Sequence, residues 1–247
     1  MDRLIYTAFS GLNASMVRQR VIASNMANTQ TVGYRADTLQ FTPMTLKEND
    51  SLEVRALSDS EVRGANMAQG SMIETGRMLD VAMGGQSMLA VQGQDGQEAY
   101  TRRGDLSVTA TGVLQNGDGR PVIGENGPIS VPPGGEVTVS PDGQVLVRDP
   151  ATPNAPPNRV DRLKLVSPAG TRIEKGLDGL FRVYGGGTLP SDLEAKVTPG
   201  SLEQSNVNAS DVLVQMVEAQ RLFDIRTKLI STAKDVDESS AALMRVT

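Results

Sequence analysis

Residues 4–28 read LIYTAFSGLNASMVRQRVIASNMAN and residues 137–147 read VTVSPDGQVLV. The first stretch holds no Pro and only Gly11, and Ile5, Ala8, Phe9, Leu12, Met16, Ile22, Ala23 and Met26 recur in it at three- and four-residue steps. That is the period of an α-helix with one broad apolar face. In the second stretch, Ser140-Pro141-Asp142-Gly143 separates two short β-branched runs. Pro fixes one turn dihedral and Gly accepts a positive one, so this is a hairpin. A helix-forming end and a hairpin-forming middle in one chain predict an α+β protein.

Working outward, a second helix is expected from about Asn208, with Met216, Ala219, Leu222, Phe223, Ile225, Leu229, Ile230, Ala233, Val236 and Leu243 on its apolar side. Asn208 or Ser210 can cap its first turn, and Asp211 suits the positive end of the helix dipole. Between the helices, Asp95-Gly96, Asp118-Gly119 and Asp178-Gly179 punctuate strand-like runs such as Met88 to Gln92 and Leu180 to Tyr184. Pro150, Pro153, Pro156 and Pro157 cannot continue a central ladder and belong to a surface loop. The division expected is an N-terminal helix (1–30), an extended connector (31–75), a central all-β domain of short strands (76–200) and a C-terminal helix (201–247). The two terminal helices are expected to pair as a coiled-coil-like bundle.

Composition excludes much chemistry. Among 247 residues there is no His and no Cys, which removes imidazole bases, thiolate nucleophiles and the usual borderline metal ligands. No cofactor or metal is expected. A formal net charge of -5 argues against a nucleic-acid partner, whose phosphates call for surplus Lys and Arg. No apolar run reaches the length needed to span a bilayer, and Ser10, Asn13 and Ser15 interrupt the N-terminal apolar residues. Neither membrane insertion nor a cleaved secretory signal is expected.

The apolar faces of the two ends are wider than a two-helix seam can cover. We therefore expect both ends to be poorly ordered in an isolated monomer and to become helical when packed against several neighbours. That is the behaviour of an assembly subunit.

Residues 23–35, from Ala23-Ser24-Asn25-Met26-Ala27-Asn28 through Gly33-Tyr34-Arg35, resemble the N-terminal signature of the flagellar rod and hook axial proteins. Ser205-Asn206-Val207-Asn208 followed by residues 216–224 resembles the C-terminal signature, and Leu79-Asp80-Val81-Ala82-Met83 with Tyr100-Thr101-Arg102-Arg103-Gly104 resembles the start of the family's β-domain. Length, with Pro121-Val122-Ile123-Gly124 and residues 127–132, resembles most the proximal rod members. The resemblance implies a structural axial subunit without catalysis or small-molecule substrate. It implies export by the flagellar export apparatus and assembly in the periplasm with copies of itself and other rod proteins, into a tube that transmits torque from motor to hook. The implied assembly residues are Ile5, Ala8, Phe9, Leu12, Met16, Ile22, Asn25, Met26 and Asn28 at one end. At the other they are Met216, Ala219, Leu222, Phe223, Ile225, Leu229, Ile230 and Val236.

Blander readings compete at several points. A distal rod subunit is the alternative within the family. A carboxylate-dependent hydrolase using residues such as Asp80, Asp105 or Asp178, and a secreted binding module, are alternatives outside it; no spacing singles out an acid/base pair. Asn116-Gly117-Asp118-Gly119 lacks the repeated acidic ligands of a calcium loop and reads as a turn. Gly185-Gly186-Gly187 has no P-loop Lys after it. Asn13-Ala14-Ser15 and Asn208-Ala209-Ser210 match a glycosylation pattern only by coincidence.

Overall fold

A computed structural model of the chain describes residues 2–45, 56–132, 134–150 and 155–244. It is an α+β structure in two units. The first holds helix α1 (Asp2–Ala27), helix α2 (Ala209–Met244) and a two-stranded ribbon of Asp37–Thr45 and Ala56–Ala65, all but its last residue. The second runs from Asn28 to Ala36 and from Ala65 to Val207.

Local chemistry sets the helix limits. α1 ends where Asn28 forms a turn: its carbonyl accepts from the Thr31 amide at 3.2 Å and its side-chain oxygen from the Thr31 hydroxyl at 3.0 Å. α2 begins after Asn208, whose side-chain oxygen accepts from the amides of Ser210 (3.0 Å) and Asp211 (3.5 Å). Those are amides that the first helical turn leaves without a partner.

The β unit is antiparallel throughout its named pairings. Its largest sheet has five strands in the order Leu165–Val166, Met88–Gln92, Glu98–Thr101, Phe181–Val183, Ile173–Lys175. Successive side chains of a strand point to opposite faces, and here both faces are covered. Leu89 and Val91 enter the main core with Leu106, Leu114, Val122, Leu163 and Leu165. Met88 and Ala90 enter a second cluster with Tyr100, Val166, Phe181 and Leu189. Two-sided burial explains why residues 88–91 are an unbroken apolar run.

The hairpin read from residues 137–147 is present: Glu136–Val139 pairs with Gln144–Arg148, with Val139 opposite Val145. Gly143 has φ +77° and its amide donates to the Ser140 carbonyl at 2.9 Å. Pro150, Pro156 and Pro157 are exposed, while Pro153 lies outside the described residues.

The stretch 31–75 is more than a connector. It contains the strands Asp37–Thr45 and Ala56–Ala65, and Met72–Glu74, which pairs with Ser201–Glu203. The ribbon falls in one unit and Met72–Glu74 in the other. Each of these strands pairs with its own partner, which a residue-by-residue reading of Thr, Ser and Asn content does not reveal.

Candidate assembly interface

On α1, Ala14, Ser15, Val21, Ile22 and Asn25 are buried, and 14/21 and 15/22 are pairs seven apart. On α2, Val212 and Ala219 are buried and Phe223, Arg226, Ile230 and Ala233 are half-buried. Those six positions advance by seven, four, three, four and three residues, the spacing of a heptad seam. The Arg226 guanidinium donates to the Gly11 carbonyl and the Ser15 hydroxyl oxygen.

A second set of apolar residues is left uncovered. Phe9, Met16 and Ala23, spaced by sevens along α1, are all exposed. On α2 so are Leu222, Ile225, Leu229 and Val236, together with Met216. Of the other positions expected at an interface, Leu12, Met26, Phe223 and Ile230 are half-buried, while Ile22 and Ala219 are buried. The side chains of Ile5, Ala8 and Leu243 lie outside those described.

Asn25 is tied within its own chain. Its side-chain oxygen accepts from the Asp37 amide at 2.8 Å and its side-chain NH2 donates to the Asp37 carbonyl at 3.0 Å. The amide group of one side chain thus acts as the ladder partner of a strand residue, and Ser24 adds a hydroxyl bond to the Asp37 carboxylate at 3.1 Å. Asn28 holds the turn that follows α1.

The β unit contains a buried ionic cluster. Glu203, with its side chain fully covered, lies between Arg35 and Arg102, both equally enclosed. One Glu203 oxygen accepts from Arg35 Nη1 at 2.7 Å and from the Gly70 amide at 2.8 Å. The other accepts from Arg102 Nε at 2.8 Å and also from Arg102 Nη2. Arg102 donates further to the carbonyls of Met83, Gly85 and Ser87, and Arg35 to that of Ala68 at 2.8 Å. Burial pushes the Arg102 guanidinium below its ordinary value, and the Glu203 charge opposes that. Two cations share one carboxylate.

Backbone meets backbone at the same place. Gly33 has φ +68°, and a Cβ there would stand 2.4 Å from the Arg102 carbonyl. Its amide donates to the Glu203 carbonyl at 2.7 Å. Only glycine satisfies both the dihedral and the approach. Asn206 completes the junction, accepting from the Ala36 amide (2.8 Å) and donating to the carbonyls of Asn66 (2.7 Å) and Ala68 (2.8 Å). Lys175 donates to the Arg35 carbonyl at 2.8 Å and lies 3.7 Å from the centre of the Tyr34 ring.

The carboxylates considered for acid/base chemistry are each engaged by an arginine: Asp80 by Arg77, Asp105 by Arg103, Asp178 by Arg182. Arg182 holds the Asp178 carboxyl below its usual range. The Asn116-Gly117-Asp118-Gly119 segment is a turn in which the Asn116 oxygen accepts from the amides of Asp118 and Arg120. Among the described residues no cluster could hold a metal ion, and no helix is long and apolar enough to cross a membrane.

Three stretches match family profiles. Residues 5–35 match the flagella basal body rod protein, residues 82–147 the D1 domain of the flagellar hook protein FlgE/F/G, and residues 198–243 the C-terminal region of the flagellar basal body rod FlgEFG protein. Flagellar basal-body rod protein FlgF of Escherichia coli K12 is 41% identical over 243 residues, 95% of each chain. The chain belongs to the flagellar basal-body rod protein family. FlgF of Salmonella typhimurium LT2 is 38% identical, covering 98% of this chain and 97% of its own. FlgG of Buchnera aphidicola subsp. Baizongia pistaciae is 31% identical over 93% and 95% of the two chains. As a member of this family the chain is a structural protein of the flagellar basal body, not an enzyme.

Sequence reasoning did not single out the ionic cluster. Arg35 and Arg102 lie inside segments recognised for their resemblance, but as charged residues they read as solvated. Glu203 ends a three-residue strand, Ser201–Glu203, beside a positive-φ Gly200. The one available signal is a Glu on the same face of that strand as buried Ser201.

Proposed function

We propose that this chain is an axial subunit of the proximal part of the rod, and that its terminal helices pair as a coiled-coil-like bundle whose outer faces pack against neighbouring subunits. The observation that carries this reading is the double patterning of the helices. One heptad row on α2 is buried or half-buried within the chain, while Leu222, Ile225, Leu229 and Val236 form a second, exposed row. Phe9, Met16 and Ala23 form its counterpart on α1. An isolated chain gains nothing from such rows; a helical assembly covers them.

The partners are copies of this chain and other rod proteins, placed in the periplasmic section of the basal body after passage through the flagellar export apparatus. Residues 5–35, which match the rod profile, remain part of the working subunit. A helix of 36 residues extends ~54 Å at 1.5 Å per residue, enough to meet several subunits along a tube. Interlocked helices of that length resist twisting, so the mechanism is passive transmission of torque from motor to hook.

The 41% and 38% identities to FlgF of Escherichia coli and Salmonella typhimurium, against 31% to the FlgG relative, support the proximal assignment. The test is the axial position of a tagged copy in purified basal bodies, compared with a copy lacking residues 2–27. The expected result is label on the rod close to the motor for the full chain, and none for the shortened one. Label at the hook, or rods that still incorporate the shortened chain, would overturn it.

A further inference from the structure

The chain passes to α1 through residues 28–36 and to α2 through residues 203–207, and both segments belong to the β unit. They are held there by a few groups. The Glu203 carboxylate takes Arg35 on one oxygen and Arg102 on the other. The Glu203 carbonyl takes the Gly33 amide, and Asn206 takes the Ala36 amide. The only member of the trio from the body of the sheet is Arg102, which follows the strand Glu98–Thr101. It is fixed by three carbonyls of residues 83–87.

An enclosed pair of guanidiniums around a single carboxylate is a poor way to add stability, because desolvating three charges offsets their attraction. Arg35 Nε has no hydrogen-bond partner in its buried position, which adds to the cost. What such a cluster does well is fix position: two Arg102 donors converge on one Glu203 oxygen while Arg35 and the Gly70 amide hold the other, and charge-assisted hydrogen bonds of this kind are short and directional.

Resting on the axial-subunit reading above, we infer that Arg35, Glu203 and Arg102 form a clamp that fixes the two helix-bearing segments of the chain to one another and to the β unit. Glu203 and Arg35 are positioning residues for assembly, although neither lies on a helix. Load carried along the chain from either helix enters the β unit at the segments that this clamp holds.

Arg35→Met tests it, because it leaves the neutral Glu203–Arg102 pair in place and fills much of the same volume. The expected result is an unchanged melting transition of the β unit, with amide exchange at Gly33, Ala36 and Gly70 faster by roughly tenfold or more than in the parent chain. Amides of the Met88–Gln92 strand should keep their protection. Incorporation of the variant into basal bodies should fall by a similar factor, and Arg35→Lys, which keeps one cationic donor, should recover part of both losses.

Unchanged exchange at the three amides overturns the clamp. So does a lowered melting transition of the β unit, which makes the cluster a folding element. Faster exchange with parental incorporation overturns its role in assembly. The exchange measurement uses the free chain, so it separates failure of the clamp from failure of the rod reading.

Discussion

Replacing Leu222, Ile225, Leu229 and Val236 together with Gln removes the uncovered row of α2 while keeping good helix formers at four sites. These side chains are 39%, 57%, 61% and 52% exposed, so about half of each remains to be buried by a neighbour. Full burial of a Val, Leu or Ile side chain is worth roughly 1.5–3 kcal/mol, which leaves about 0.7–1.5 kcal/mol per residue and ~3–6 kcal/mol for the row. At 1.4 kcal/mol per factor of ten, each helix–helix contact between subunits weakens by about 10² to 10⁴.

The isolated chain should lose little, within about 0.5 kcal/mol per site, because exposed substitutions away from caps and turns rarely do more. Two assays decide it: thermal melting of the purified chain by circular dichroism, and the quantity of variant in basal bodies from cells lacking the parental gene. Unchanged melting with absent rods and lost motility is the expected pair. Ala219→Gln gives the contrast, since Ala219 is buried within the chain and its enlargement should disturb the packing of the chain's own α2 rather than a contact between subunits. Normal rod yield from the fourfold variant would refute the argument that the uncovered row is where neighbours pack.

Three smaller predictions follow from single groups. Asn25→Ala removes the two bonds that the Asn25 side chain makes to the Asp37 amide and carbonyl, which should cost about 1–3 kcal/mol and show as faster exchange of the Asp37 amide. Tyr100 is pushed up to about 12, first by burial and further by Glu98, against the Leu189 amide bond that lowers it. Because the folded value lies above the ordinary 10, its contribution is complete below pH 10 and is lost as pH rises through the folded value. Absorbance of tyrosinate should therefore show one tyrosine titrating late and together with unfolding, and Tyr100→Phe should remove that late step. Asp178 is lowered chiefly by the Arg182 hydrogen bond, so its contribution is present above the usual carboxylate range and is lost as pH falls through the lowered value. Asp178→Asn should flatten the acid limb of the stability curve, measured by denaturant melts between neutral and acid pH.

How much of this was legible in the sequence depended on how far apart the deciding residues lie. The Ser140-Pro141-Asp142-Gly143 turn, the strand at Met88–Gln92 and the Asn208 cap are local, and the structure has them where the sequence places them. The ribbon of Asp37–Thr45 and Ala56–Ala65 was not legible, because strand formation depends on pairing that composition does not show. Reading α1 as one broad apolar face merged two rows. Ala14, Ser15 and Asn25 face inward although small or polar, and Phe9 and Met16 stay exposed although large. Hydrophobic periodicity weighs residue size and apolarity, whereas close helix contact favours small side chains, so the pattern alone could not separate the rows.

The ionic cluster was the least legible feature for a related reason. Arg102 and Glu203 are separated by 101 positions, so no window of sequence joins them, and each charge taken alone is most simply a solvated one. Yet the cluster is where the apolar logic of the chain is suspended. A hydrophobic trio of the same volume could be as stable or more so, but it would leave the Gly70 amide and the carbonyls of residues 83–87 without partners. It would also hold the Gly33 segment less specifically. Under the proposed axial role, in which force passes along the chain from the helices into the β unit, a fixed joint is of more use than a small gain in stability. A few ionic, directional contacts where both helix-bearing segments enter the β unit, beside an apolar main core, are what that requirement selects.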